Sequence, residues 1–273
     1  MKILSPLHAE SRVSWLADTA SACLIDEARL SPKPGLVDSR GSGAHQDLTL
    51  ALMERSARSL QPTFHALAQQ SWRRPADIAL RETVGRLGRE GEAQMMQATG
   101  GVNTHRGAIW ALGLLVSAVA MLGGEGQSQT IAETAAALAR LPDSLAPKSF
   151  SKGLRASRRW QVPGAREEAQ RGFPHITARA LPQLQQSRAR GASEPQARLD
   201  ALMAIMTSLS DTCVLSRAGM SGLQTMQQGA REVLAAGGCA SVAGRGGGAR
   251  GGAAGAGGPP PPPAAGPRPG GPP

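Results

Sequence analysis

Four islands of polar residues in this chain mix cations or imidazoles with carboxylates. That composition suits a polyphosphate and a proton transfer beside it. The first island is Glu27 with Pro32-Lys33-Pro34-Gly35-Leu36-Val37-Asp38, and the second is Gly43-Ala44-His45-Gln46-Asp47. The third runs from Glu92 through Gly100-Gly101-Val102-Asn103-Thr104-His105-Arg106-Gly107 into the apolar Ala108-Ile109-Trp110. Gly164-Ala165-Arg166-Glu167-Glu168-Ala169 makes the fourth. In the third island the paired glycines let backbone approach a ligand, and Asn103 or Thr104 can cap a helix. The N–H groups from His105 to Gly107 would then face an anion at the positive end of the helix dipole. Lys33, on a loop stiffened by two prolines, joins Arg106 and Arg166 as charge for phosphate oxygens. Asp38, Asp47 and Glu92 are hard oxygen donors of the kind Mg²⁺ takes. Each island also has an ordinary explanation, a capped helix start or a surface ion pair worth little. His45 and Asp47 meet only if a loop or helix start carries them. Asp211 interrupts the apolar run Leu202 to Leu215, so it calls for a basic or metal partner.

The elements that must position these groups are helices. Among 273 residues there are three Phe, four Trp and no Tyr, so aliphatic side chains at helical spacing must build the core. Leu16, Ala20, Cys23 or Leu24, and Ala28 recur at three- and four-residue steps, which predicts a helix from about Ser11 to Leu30. Further helices are predicted at 46–60, 62–71, 75–98, 105–122, 129–141, 174–189, 195–215 and 219–236. Strand-like alternation is absent, and the fold class expected is all-α, one multi-helix domain over 1–238. From Cys239 the last 35 residues hold twelve Gly, nine Pro and no acid. This segment, 239–273, is expected to be a disordered low-complexity tail.

Composition excludes several classes. The formal charge of +10 falls to +7 without the three tail arginines, a balance suited to an anionic small molecule. Scarce aromatics leave no base-stacking platform, so nucleic acid is not an expected partner. The apolar run Ala108 to Leu122 is too short for the ~20 residues of a membrane span, and the amino terminus lacks a signal-peptide pattern. Three distant cysteines imply neither a disulfide framework nor zinc, and a cytoplasmic location fits. The phosphate loop, the Rossmann fingerprint, HExxH and GxSxG are all missing.

Taken in order, several motifs resemble those of the triphosphoribosyl-dephospho-CoA synthase family. They are Pro32 to Asp38, Gly43-x-His45-x-Asp47, Glu92-x-x-x-Met96, Thr99-x-Gly101-Val102-Asn103-Thr104-His105-Arg106-Gly107-Ala108-Ile109, Gly164-Ala165-Arg166-x-Glu168-Ala169 and Asp211-Thr212. The resemblance spans roughly Trp15 to Ala236. It implies a helical transferase joining ATP to 3′-dephospho-CoA with release of adenine. The product would be the prosthetic-group precursor for the carrier subunit of malonate decarboxylase or citrate lyase, with a lean toward the former. A downstream carrier-protein transferase would be a partner. Under this resemblance Lys33, Gly101, Asn103, Thr104, Arg106, Gly107 and Arg166 hold phosphates, while Asp38, Asp47 and Glu92 carry Mg²⁺. Glu27 or Glu168 would be the base, and His45 or His105 the acid. Two departures stand out: cysteine at 213, where the family has Asn, and the tail, where the family has Asn-x-Ser-Pro-Gly-Gly-x-Ala-Asp-Leu-Leu. A reading-frame change in GC-rich coding DNA would produce such an end. The alternative reading is therefore an inactive relative that binds nucleotide or CoA without catalysis.

Overall fold

The structure, a computed structural model, describes residues 6–146 and 152–241. Among these residues eleven α-helices account for the architecture, with one isolated bridge between Asp38 and Gly41 and no strand. The helices are α1 (Pro6–Arg29), α2 (Leu50–Ser59), α3 (Gln61–Ser71), α4 (Ile78–Ala98), α5 (Arg106–Met121) and α6 (Ser128–Arg140). They continue with α7 (Lys152–Trp160), α8 (Ala165–Gln170), α9 (Leu181–Ala189), α10 (Glu194–Met206) and α11 (Thr212–Ala235). A π-helical turn, Ile176–Ala180, leads into α9. No helix among the described residues is long and apolar enough to cross a membrane. The tail expected over 239–273 lies outside the described residues from 242 on.

Caps explain where the helices begin. The Thr49 hydroxyl accepts from Leu52 N–H at 3.2 Å, so α2 starts at Leu50 and leaves 46–49, expected to be helical, in the loop. The Asp77 carboxylate does the same for α4, accepting from Leu80 N–H at 2.6 Å. The single helix expected over 195–215 is two. The Asp211 carboxylate accepts from the N–H groups of Cys213 and Val214 at 2.7 and 3.1 Å and opens α11 afresh. Backbone donors, not a cation or metal, are therefore the partners that Asp211 finds. Helices α7 and α8 go beyond the expected set: in α7 charged residues outnumber apolar ones, and α8 is only six residues long, too short for a periodic pattern.

Two groups of helices carry the core. The larger gathers α1 to α6 and α8 around α5, which is apolar nearly all round and packs against α3, α4 and α6. Phe64, Leu60, Leu67, Leu80, Met95, Leu114 and Leu138 are fully buried there. Each such side chain contributes about 1.5–3 kcal/mol when removed from water. The smaller group pairs α10 with α9 and α11, and α11 with α7, over two small clusters. One is built on Met203, Ala230 and Val233, the other on Leu215, Leu223 and Met226. Helix α11 breaks at Gly219, whose φ of 65° and ψ of −164° belong to a region open in practice only to glycine. The far end of α11 is secured by Asp200, 2% exposed, which accepts from Ser187 Oγ and Cys239 N–H at 2.7 Å each.

Candidate functional site

A wide cavity of about 490 Å³ opens where the two helix groups meet. The loop after α1, the start of α5, and α10 with α11 line it. Its polar wall carries Glu27, Lys33, His45, Thr104, His105, Gly107, Asp211, Cys213 and Arg217, while Leu36, Leu48, Met53, Leu202, Ile205 and Met226 make it largely apolar elsewhere. Six of the residues expected at the site thus share one space, although the sequence scatters them over three islands.

Lys33 reaches the cavity from the Pro32–Pro34 loop and is 2% exposed. Its ammonium donates to the Glu27 carbonyl at 2.5 Å and to the Glu27 carboxylate at 2.6 Å. The carboxylate itself stays half exposed, so the pair presents one oriented ammonium and one accessible acceptor. Asp38 holds that loop in shape. Its carboxylate accepts from Lys33 N–H and Arg40 N–H at 2.8 Å each, from the Ser31 hydroxyl at 3.2 Å, and from the Arg40 guanidinium at 2.8 Å. Burial alone would raise its pKa, but these bonds, the Arg40 guanidinium first among them, bring it down to about 2.

The third island folds differently from its expected anion cradle. Gly100 and Gly101 have φ of 65° and 91° and close the end of α4, with Gly101 N–H donating to Met96 O at 2.8 Å. His105 takes the N-cap position of α5 without a side-chain cap. Its N–H donates to Met95 Sδ at 3.1 Å, and Arg106 N–H reaches Asn103 Oδ1 at 3.3 Å, so two of the N–H groups expected to meet phosphate are engaged. Gly107 lines the cavity, and a Cβ there would meet nothing. His105 is 4% exposed, and burial pushes its pKa down to about 4, so the imidazole is neutral at pH 7. His45 is lowered as well, by burial and then by Arg217, against an opposing pull from Asp47. Arg217 NH2 lies 3.3 Å from His45 Nδ1.

Other expected residues fall elsewhere. Glu92 lines a smaller depression of about 170 Å³ with Arg81, Arg89, Trp110 and Asp143, and its carboxylate binds Arg106 Nε at 2.9 Å. Arg166 is exposed and close enough to Arg81 to depress it further, after burial. Glu168 accepts from His175 N–H and meets His175 Nδ1, at 2.9 Å each. Gly101 and Asn103 sit exposed on the approach to α5. The three carboxylates nominated for Mg²⁺ do not fit a shared ion: Asp38 is saturated by donors, Glu92 is held by Arg106, and Asp47 is exposed on its loop. No group of three or more potential ligands occurs among the described residues.

Two groups, one on the cavity wall and one behind it, escape sequence reasoning. Arg217 lies six residues past Asp211, and extending that motif along α11 would have found it. Ser56, 0% exposed, hydrogen-bonds His105 Nδ1 at 2.8 Å and Thr104 Oγ1 at 2.6 Å, and as a lone serine in an amphipathic helix it gives no signal.

Comparison with known proteins agrees with the motifs. A synthase from Klebsiella pneumoniae, named 2-(5''-triphosphoribosyl)-3'-dephosphocoenzyme-A synthase, is 92% identical over 245 residues, covering 90% of this chain and 88% of that protein. Proteins named "Probable 2-(5''-triphosphoribosyl)-3'-dephosphocoenzyme-A synthase" from Stutzerimonas stutzeri and Azotobacter vinelandii are each 60% identical. They cover 90% and 89% of this chain, and 85% and 84% of their own lengths. No solved structure matches the chain. The family model described as ATP:dephospho-CoA triphosphoribosyl transferase matches residues 13–247, and the chain belongs to that family.

Proposed function

We propose that this chain joins ATP to 3′-dephospho-CoA at the wide cavity, releasing adenine and forming 2′-(5″-triphosphoribosyl)-3′-dephospho-CoA. The observation that carries this is one cavity holding Lys33, Arg217, two imidazoles and a half-exposed carboxylate beside an apolar wall. The reaction replaces the bond from C1′ of the ATP ribose to adenine by a bond to the 2′-hydroxyl oxygen of dephospho-CoA. Its transition state carries oxocarbenium character, as in glycoside cleavage. Lys33 and Arg217 are assigned to the triphosphate, Glu27 to the cationic ribose, and the two imidazoles to proton transfer between the attacking hydroxyl and the departing base. The apolar wall suits adenine or the pantetheine arm. Arg106 and Arg166, beside the smaller depression, are assigned to extended phosphate contacts at most. Mg²⁺ enters this reading as part of the ATP complex, not on Asp38, Asp47 and Glu92.

A place in the cytoplasm, delivery of the product to a carrier-protein transferase, and service of malonate decarboxylase over citrate lyase complete the proposal. Chromatographic measurement of adenine formed from ATP tests it directly. Adenine should appear only with 3′-dephospho-CoA present, and should fall sharply in Lys33→Met. Binding of both substrates without adenine would overturn the catalytic reading in favour of a non-catalytic relative.

A further inference from the structure

Among the described side chains, His105 is the imidazole with a fully enclosed partner on one nitrogen and nothing on the other. Nδ1 lies 2.8 Å from Ser56 Oγ, and Ser56 Oγ lies 2.6 Å from Thr104 Oγ1, all three groups packed between α2 and the start of α5. Nε2 is buried and has no hydrogen-bond partner. Both His105 and Thr104 line the wide cavity, whereas Ser56 lies behind them, so the ring with the unpartnered nitrogen is part of the cavity wall.

The two hydroxyls and the ring can be ordered in two ways. If Thr104 donates to Ser56 and Ser56 to Nδ1, the ring proton sits on Nε2 as a buried donor with no acceptor. If Nδ1–H donates to Ser56 and Ser56 to Thr104, Nε2 keeps a bare lone pair and the Thr104 hydroxyl proton is free to turn into the cavity. An orphaned buried N–H is the rarer arrangement in folded proteins. The second ordering therefore wins, and it leaves an acceptor and a donor side by side at the cavity wall.

We infer that Ser56 is a positioning residue that fixes the Nδ1–H tautomer of His105, making Nε2 the general base for the 2′-hydroxyl of dephospho-CoA. This rests on the proposed transferase activity and reverses the acid role first expected of His105. As the hydroxyl oxygen bonds to C1′, the C1′–N9 pair leaves with adenine and the hydroxyl proton passes to Nε2. The imidazolium is stabilised by Nδ1–H donating to Ser56, and the same proton goes on to the adenine anion, restoring the neutral ring. Thr104 donates its hydroxyl to a substrate oxygen.

Burial keeps the ring neutral before the reaction, its pKa being pushed down to about 4. The charged and titratable groups that share its cavity are Glu27, Lys33, His45, Asp211 at the cap of α11, and Cys213 and Arg217 on α11, with Arg106 next to it in the chain. None of them contributes to that shift, which comes from burial alone.

The tautomer can be read without any variant. Nitrogen-15 spectra of the full chain at pH 7, with the His105 signals assigned by their loss in His105→Gln, should show Nδ1 protonated and Nε2 bare. A proton on Nε2 would overturn the inference even if adenine release is normal. Ser56→Ala should lower kcat by ~10²–10⁴-fold, the range of a positioned base, with KM for both substrates little changed. Its acidic limb in the pH profile of kcat should move as well. Ser56→Thr, which keeps the hydroxyl, should recover part of the rate. An unaltered pH profile in Ser56→Ala would reduce Ser56 to packing, whereas a wild-type chain that forms no adenine would instead sink the proposed function itself.

Discussion

Two depressions among the described residues are made of similar residue types and differ in how much of their charge is answered within the protein. In the smaller one Arg81 and Arg89 clamp the buried Asp143 at 3.4 and 2.8 Å, Arg81 lies 5.4 Å from the Trp110 ring centre, and Glu92 takes Arg106. Most of its charge is answered within the protein, Arg81 Nε being the buried nitrogen there without a hydrogen-bond partner. In the wider one His105 Nε2 has no partner, Arg217 meets only an imidazole, and Glu27 is half exposed. A mixture of cations and carboxylates is thus not by itself a substrate site, and what distinguishes one is the polar capacity left over after folding. Charge that is used up serves stability, and charge that is left over serves a ligand.

Substitutions can break that contrast. The largest effect expected is on folding: Asp143→Ala strips a buried carboxylate from two guanidiniums and should cost about 3–5 kcal/mol by denaturant unfolding. The activity per folded molecule should hardly change, and a collapse of turnover in folded protein would erase the distinction. Next comes a pH effect from the wider cavity. Because the His105 pKa is lowered to about 4 from 6.5, the unfolded chain binds the extra proton first. Stability should therefore fall as pH drops from 6.5 to 4, by about 3 kcal/mol, and level off below. His45, shifted the same way, adds a slope of the same sign. Unfolding curves of His105→Gln should lack the His105 share of that slope.

Asp38 supports the wider cavity from outside, and its term has the other range. A carboxyl brought to about 2 contributes stability above its unfolded value of 3.8 and loses it as pH falls toward 2, about 2 kcal/mol in all. Asp38→Asn should remove that dependence and loosen Lys33, visible as a raised KM for ATP. The smallest effect sharpens the contrast from the ligand's side. Arg217→Gln should weaken ATP about tenfold, near 1.4 kcal/mol, with the unfolding midpoint unmoved. A matching shift of the midpoint would mean that its charge, like that of Arg81, is structural.

Helix count was largely legible because it depends on neighbours in sequence. Thr49, Asp77 and Asp211 each start a helix through their own side chains, yet the expected bounds 46–60, 75–98 and 195–215 run through all three, so helices were easier to read than their first residues. The candidate site was legible in part. His45 and His105 were nominated and line one cavity, but Glu92, Arg106 and Glu168, nominated on the same composition, fold into other partnerships, and Arg166 is exposed away from it. Which carboxylate finds which guanidinium depends on packing between helices far apart in sequence, such as Asp143 against α4, and no local pattern encodes that. Ser56 illustrates the limit: its importance arises 49 residues away.

The break at Gly219 has a consequence for size selection. Cys213 and Arg217 lie before it, Gly222 and Met226 after it, and all four border the wide cavity. One pair of torsions in a conformation that a β-carbon forbids therefore sets the angle between two walls of the chamber, as a folding rule is set by its joint. The gap between those walls is calibrated by backbone and not by the bulk of any side chain. Filling or trimming side chains would change what the chamber touches, and a change at this joint would alter the angle at which its α11 walls meet.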